Sequence, residues 1–163
     1  MIASDARLRA LLAAALLALV APTAFGEGER VVKQAALPAA QATVVVAEGG
    51  FEPRSIGSYS VRAYDARDPR HPYDRFLAGA VRPRNGSVEE LRFADVDRDG
   101  IADIIVVMRA AGTGGYRSAD AFRLRGRALV LLGSVSGLAK DADPVRALAA
   151  GLAAGRSTKE PKR

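Results

Sequence analysis

The stretch Ile104-Ile105-Val106-Val107-Met108 decides the fold class of this 163-residue chain. Its β-branched side chains favour extended backbone, and a continuous apolar run of this length is typical of a central strand covered on both faces. Similar short apolar runs recur on both sides, separated by turn residues about every ten positions, and helical periodicity is scarce. The sequence therefore predicts an all-β fold with this strand at its centre.

Further strands are predicted on the N-terminal side of this run, at residues 43–47 and 58–64. The first is a short β-branched run that ends at two glycines, which is typical of a buried strand. In the second, side chains alternate, so that Tyr59, Val61 and Ala63 should share one face of a sheet.

Turn residues divide the rest of the chain. The sequence Pro83-Arg84-Asn85-Gly86 favours a tight turn, because proline presets φ and glycine tolerates positive φ, and it predicts a hairpin over about residues 75–94. Two more strands should flank Arg125-Gly126-Arg127. Asp143-Pro144 supplies an N-cap and a first-turn proline for a helix rich in Ala and Leu, which we expect to run to about Ala154 and to stop at Gly155.

The two ends of the chain differ in composition from its middle. Arg7 and Arg9 precede an uncharged run of Leu, Ala and Val that is too short to span a membrane, which takes about 20 residues. We interpret residues 1–26 as a cleaved signal peptide, so that the mature protein is exported to the periplasm and not held in a membrane; an uncut anchor is the alternative. We expect a flexible arm at 27–41, a β-sandwich domain at 42–155 and a disordered tail at 156–163.

The composition excludes several classes of function. The absence of cysteine excludes disulfides, thiolate metal sites and cysteine nucleophiles. The one histidine, His71, lies between prolines with no nucleophile motif nearby, so we do not expect an enzyme. The formal net charge is +6, but the basic residues are spread along the chain without stacking aromatics, which argues against nucleic-acid binding.

An acidic stretch between two predicted strands resembles the first part of an EF-hand loop. Its carboxylates are Asp95, Asp97, Asp99 and Asp103, and Ile101 would offer its carbonyl. The bidentate glutamate of such loops is missing. Clustered carboxylates without a cation would repel one another, which favours a structural Ca²⁺. The alternative is a metal-free turn whose carboxylates accept hydrogen bonds from backbone amides.

Two stretches carry a resemblance to a known family. Residues 52–62 (EPRSIGSYSVR) and residues 108–122 (MRAAGTGGYRSADAF) resemble the signature segments of the bacterial periplasmic inhibitors of invertebrate-type (i-type) lysozyme. The resemblance covers roughly residues 43–150. It implies an antiparallel β-sandwich with short flanking helices, a tendency to form homodimers, and no required cofactor. It also implies that a Ser-Gly-x-Tyr loop enters the catalytic cleft of the lysozyme.

That inhibitory loop maps to Gly112, Thr113, Gly114, Gly115 and Tyr116, with threonine in place of the family's serine. Three glycines cost conformational order unless their shape is needed, and the Thr hydroxyl and Tyr phenol are donors suited to carboxyl groups in a lysozyme cleft. Ser58 and Arg62 could border the loop. Two alternatives stay open: a hairpin loop with Tyr116 folded on the sheet, and a calcium-stabilised periplasmic module that binds another glycan or protein.

Overall fold

Two four-stranded antiparallel sheets pack face to face in the computed structural model, which describes residues 28–157. The first sheet has the order β1-β2-β3-β4 and the second has the order β5-β6-β7-β8. The predicted antiparallel β-sandwich with a helix near the C-terminus is confirmed. The elements are β1 (Arg30–Leu37), β2 (Ala42–Glu48), β3 (Ile56–Asp65), β4 (Phe76–Asn85), β5 (Ser87–Ala94), β6 (Asp103–Arg109), β7 (Arg117–Arg125), β8 (Ala128–Leu138) and α1 (Pro144–Ser157).

Strand β6 is buried on both of its faces. Ile104, Val106 and Met108 point into the main core between the two sheets. Ile105 and Val107 point the other way, into a second core that α1 covers with residues such as Leu148. A strand between two apolar layers needs no polar face, which explains the unbroken apolar run and confirms the prediction made from it.

Strand β3 contributes to the main core from the first sheet. Tyr59, Val61 and Ala63 are fully buried on one face, as the alternation predicts. Strand β3 pairs with β2 on one side and with β4 on the other. It therefore lies in the middle of its sheet, where the side chains on its inner face are shielded from water.

The hairpin predicted over residues 75–94 is wrong. Strand β4 pairs only with β3 in the first sheet, and β5 pairs only with β6 in the second. A single residue, Gly86, links them with φ of 95°, and a Cβ at this position would overlap the carbonyl group of Arg109. The predicted tight turn at Pro83-Arg84-Asn85-Gly86 is also wrong, because Pro83, Arg84 and Asn85 belong to β4 and pair with β3. Gly86 alone makes the connection, and the chain crosses there from one sheet to the other.

The N-terminal arm predicted at 27–41 is a strand over much of its length. Strand β1 pairs with β2 in antiparallel register from Arg30 opposite Glu48 to Leu37 opposite Ala42. Its mixed polar and alanine-rich sequence does not indicate a strand, because an edge strand buries few side chains. Here Leu37 is the buried one, at 5% exposed. The signal peptide predicted at residues 1–26 lies outside the described residues.

Helix α1 begins as predicted. The Asp143 carboxylate accepts a hydrogen bond from the Val145 amide at 3.0 Å, and Pro144 occupies the first helical position. The helix continues through Gly155 to Ser157, so the predicted stop at Gly155 is wrong. Glycine weakens a helix without being forced to end it. Residues 158–163 of the predicted tail lie outside the described residues. Within residues 28–157 there is no helix with the length and apolarity that a membrane crossing requires.

Candidate functional site

The candidate inhibitory loop connects β6 to β7 at one end of the sandwich, which we call the loop end. The Ala110 amide donates to the Tyr116 carbonyl at 2.8 Å and closes the base of the loop. Inside it, the Gly115 amide donates to the Gly112 carbonyl at 3.2 Å. Gly115 has φ of 57°, a conformation that side chains disfavour. These bonds shape a tight tip that projects beyond the strands.

The two candidate donors of this loop face solvent. Tyr116 is 57% exposed, and Thr113 is exposed as well. The Tyr116 ring lies across Gly114, where a Cβ would come within 2.5 Å of ring atom Cε2. Within the part of the chain that the structure describes, neither hydroxyl has a hydrogen-bond partner. The ring thus packs on the loop itself and not in the core, and both hydroxyls are available to another molecule.

A network of charged side chains supports the base of the loop. The Glu89 carboxylate accepts from Nε of Arg109 at 2.9 Å and from Nε of Arg117 at 3.1 Å. Arg117 also donates to Glu90 at 2.7 Å and is 8% exposed. Hydrogen bonds between ionised groups are the stronger kind, so the residues that flank the loop on both strands are held in place.

The two predicted border residues lie in different places. Ser58 lies at the loop end, where its amide donates to Glu52 at 2.5 Å and its hydroxyl donates to Glu52 at 2.7 Å. The Ser58 amide, followed by its hydroxyl, holds the pKa of Glu52 below its usual range. Arg62 lies on the outer face of the first sheet and pairs with Glu29. The structure therefore does not place Arg62 beside the loop, because residues 58 and 62 are four positions apart along β3.

Arg84 organises the loop end and was missed by sequence reasoning. Its side chain is fully buried and donates to the carbonyl groups of Pro53 at 2.9 Å, Arg54 at 2.9 Å, Ser58 at 2.9 Å and Gly86. It fixes the β2–β3 loop against the Gly86 link, which itself lies against the base of the inhibitory loop. An arginine next to a turn carries no sequence signal for such a role.

A buried hydrogen bond joins the two stretches that carry the family resemblance. Tyr59 in β3 donates to Asp120 in β7 at 2.5 Å, and Nε of Arg82 donates to the same carboxylate at 3.3 Å. Burial, and then the Asp120 charge, raise the pKa of Tyr59 above its usual range. Tyr59 is fully buried, so it is a core residue that ties the sheets together and not a contact for a partner.

Beside this pair, a cleft of about 420 Å³ opens between the edge strands β4 and β8. Asn85, Ser118 and Ser136 line it towards the loop end. The same three residues line an adjoining cavity of about 260 Å³ whose wall includes Tyr116. The cleft therefore runs up to the candidate inhibitory loop.

The acidic stretch lies at the opposite end of the sandwich, between β5 and β6. Carboxylate oxygens of Asp95, Asp97 and Asp99 lie within 4.8 Å of one another. Asp95 accepts hydrogen bonds from the amides of Asp99 at 3.1 Å and Gly100 at 2.8 Å, and Asp99 accepts from the Ile101 amide at 2.9 Å. These are the backbone contacts of the metal-free turn that the sequence left as an alternative.

The protein also supplies a cation to this stretch. Arg123, which is 2% exposed, donates to Asp103 at 2.7 Å, to Asp97 at 2.8 Å and to Asp99. The second oxygen of Asp103 accepts from the Val96 amide at 3.0 Å. The sequence argument for Ca²⁺ was that the carboxylates need a counter-charge, and the guanidinium provides one. A calcium ion at this loop stays a prediction.

Comparisons with known proteins agree with this geometry. Residues 29–152 match the family model described as periplasmic lysozyme inhibitor of I-type lysozyme. The crystal structure of such an inhibitor from Aeromonas hydrophila is similar at 44% identity and a TM-score of 0.66, over 71% of this chain and 97% of that one. The Aeromonas hydrophila inhibitor in complex with Meretrix lusoria lysozyme is similar at 45% identity and a TM-score of 0.66, over 71% and 93%. The search of curated proteins found no match. The chain therefore belongs to the family of periplasmic inhibitors of I-type lysozyme.

Proposed function

We propose that this chain inhibits I-type lysozyme by inserting residues 112–116 into the active-site cleft of the enzyme. The observation that carries the proposal is the exposed tip, on which Thr113 and Tyr116 present hydroxyls without internal partners. The base of the tip is rigid, because Glu89 holds both Arg109 and Arg117. A preformed loop loses little conformational entropy when it binds, so most of the contact energy remains available for affinity.

The chemistry of the tip suits such a cleft. A lysozyme active site contains two carboxyl groups, one of which acts as general acid. A threonine hydroxyl and a tyrosine phenol can each donate to a carboxylate, and a hydrogen bond to a charged group contributes about 1.5 to 3 kcal/mol. Insertion would also cover the carboxyl groups and exclude the polysaccharide.

We infer that the chain acts as an inhibitor only and not as an enzyme. His71 lies in an exposed loop with Nδ1 3.3 Å from Asp68, and no hydroxyl among the described residues bonds to it. A nucleophile and base must lie within hydrogen-bond reach of each other, and this histidine has no such nucleophile. The loop needs no cofactor to present its two donors.

The decisive experiment is to titrate the purified protein into activity assays of I-type, c-type and g-type lysozymes. We expect stoichiometric loss of activity with the I-type enzyme alone. If none of the three enzymes responds, the function proposed here is wrong, and a periplasmic module that binds another glycan or protein becomes the better hypothesis.

The family resemblance also predicts a homodimer, which sedimentation of the free protein would test. The complex with lysozyme should be measured in the same way. A stoichiometry of one lysozyme per chain is expected, because each chain carries its own complete loop at the exposed loop end of its sandwich.

A further inference from the structure

Three large apolar side chains at the loop end are exposed to solvent. Ile56 is 63% exposed and Tyr116 is 57% exposed, and Phe51 in the β2–β3 loop is 79% exposed. Single exposed apolar side chains are ordinary on protein surfaces. What matters is therefore whether these residues are arranged around a common surface.

Ile56 and Tyr116 border the same polar strip. Ile56 lines the cleft between β4 and β8 together with Asn85, Ser118 and Ser136. Tyr116 lines the adjoining cavity with the same three residues. Each of the two apolar side chains thus borders the same strip of one amide and two hydroxyls. An apolar wall beside convergent polar groups is the usual composition of a binding surface.

The position of Ile56 is fixed by buried contacts on both sides of it along the chain. Arg84 donates to the carbonyl groups of Pro53 and Arg54 before it, each at 2.9 Å, and to the carbonyl of Ser58 after it at 2.9 Å. Because the Arg84 side chain is fully buried, this backbone cannot shift without breaking the network. The buried Arg84 side chain therefore fixes the backbone on both sides of the exposed Ile56.

We propose that Ile56 is a second anchor for the lysozyme, and that the strip between Ile56 and Tyr116 receives one lip of the enzyme's cleft. This rests on the proposed function. While Tyr116 enters the cleft, the lip beside it would lie over the polar strip and pack an apolar side chain on Ile56. Backbone groups of the lip would then bond to Asn85, Ser118 and Ser136. Recognition is thus reciprocal, since each protein inserts a segment into the other.

The test compares Ile56→Ala with Ile101→Ala by surface plasmon resonance on immobilised I-type lysozyme. Ile101 is a matched control, because it is 56% exposed and lies at the opposite end of the sandwich. We expect Ile56→Ala to weaken binding about tenfold, mainly through faster dissociation, with an unchanged melting curve. Ile101→Ala should bind like the wild type. The losses of binding free energy caused by Ile56→Ala and by Tyr116→Ala should add in the double variant if the two side chains make separate contacts with the lysozyme.

The outcomes separate this proposal from the one on which it rests. If the wild-type protein does not bind the lysozyme, the proposed function fails. If the wild type binds, Tyr116→Ala weakens binding and Ile56→Ala does not, the second anchor alone is wrong. A change in self-association of Ile56→Ala with unchanged lysozyme affinity would assign this surface to a second copy of the chain and would also overturn the proposal.

Discussion

Thr113 and Tyr116 present the two hydroxyls of the loop tip, and each should contribute to affinity more than to folding. Truncation of a desolvated contact residue to alanine typically costs about 2 to 4 kcal/mol of binding, whereas exposed loop changes alter stability by about 0.5 kcal/mol or less. Tyr116→Phe should lose most of what Tyr116→Ala loses if the phenol donates to a carboxylate. Thr113→Ser should inhibit as well as the wild type or better, because the hydroxyl is kept and a methyl group is removed.

Inhibition constants and melting temperatures of Thr113→Ala, Thr113→Ser, Tyr116→Ala and Tyr116→Phe would check this prediction. Thr113→Ala and Tyr116→Ala should each weaken inhibition and leave the melting temperature unchanged. Full inhibition by the double alanine variant would show that the loop is not the inhibitory element.

Arg123 should stabilise the acidic loop by supplying a counter-charge to its carboxylates. Removing one partner of a buried ion pair costs about 3 to 5 kcal/mol, because the remaining carboxylates are left without a counter-charge. We therefore expect Arg123→Gln to lower the melting temperature strongly. Arg125→Gln is the control, since Arg125 is the last residue of the same strand and is exposed. If the guanidinium alone supplies the counter-charge, the wild type should melt at the same temperature in excess chelator and in excess Ca²⁺.

A lower melting temperature in chelator would instead support calcium at Asp95, Asp97 and Asp99, because an ion that binds only the folded loop stabilises it by mass action. Arg123 would then supply only part of the positive charge that balances the carboxylates, and the metal ion would supply the rest.

Buried charge is the part of the site that the sequence could not predict. Arg84, Arg117 and Arg123 are nearly or fully buried, although arginine is normally exposed and these three are scattered among other basic residues. Their partners lie 20 or more positions away in several cases, as with Arg123 and Asp103. No local pattern encodes such pairs. The candidate loop tip could be proposed from the sequence because residues 112–116 are consecutive, so a local pattern is enough to single them out.

Among the elements, the strands were easier to predict than their partners. The run in β6 and the alternation in β3 follow from which faces are buried, which the sequence records directly. The connection from β4 to β5 has the residues of a hairpin turn, yet the two strands belong to different sheets. Whether the chain folds back or crosses over at such a link depends on distant contacts, here those of Arg84 with the carbonyl groups of Pro53 and Arg54 and that of Gly86 with the Arg109 carbonyl.

The Gly86 link should control the position of the inhibitory loop. Alanine at this site would adopt an unfavourable positive φ, at a cost of roughly 1 to 2 kcal/mol, and its Cβ would overlap the Arg109 carbonyl at the loop base. We expect Gly86→Ala to lower both stability and inhibition. Gly126→Ala is the control, because Gly126 also has positive φ, with open space around it, in the β7–β8 turn at the other end.

Melting curves and inhibition constants of the two glycine variants distinguish strain from loop displacement. Gly126→Ala should have a lower melting temperature than the wild type, and it should inhibit fully at temperatures well below that melting temperature. Equal inhibition by both folded variants would mean that Gly86 does not position the loop.

For the whole molecule, the fold should be complete without residues 1–26. Among the described residues, which start at residue 28, Glu29 already pairs with Arg62, and Arg30 pairs with Glu48 at the start of β1. Cleavage after Gly26 would leave all of them intact. We therefore expect mass spectrometry of periplasmic protein to find an N-terminus at or near Glu27. A chain expressed from residue 27 should have the stability and inhibition of the processed protein.

A second truncation, starting at residue 38, tests the role of β1. Its removal would expose an edge of β2 and leave the Glu48 carboxylate, which also accepts from the Val88 amide at 2.6 Å, without Arg30. We expect this chain to melt at a lower temperature and to aggregate more readily than the chain from residue 27. An unchanged melting temperature would mean that residues 27–37 do not stabilise the fold, as expected of the flexible arm that their composition first indicated. For the cleavage prediction, recovery of intact Met1 protein from membranes would be the contradicting result.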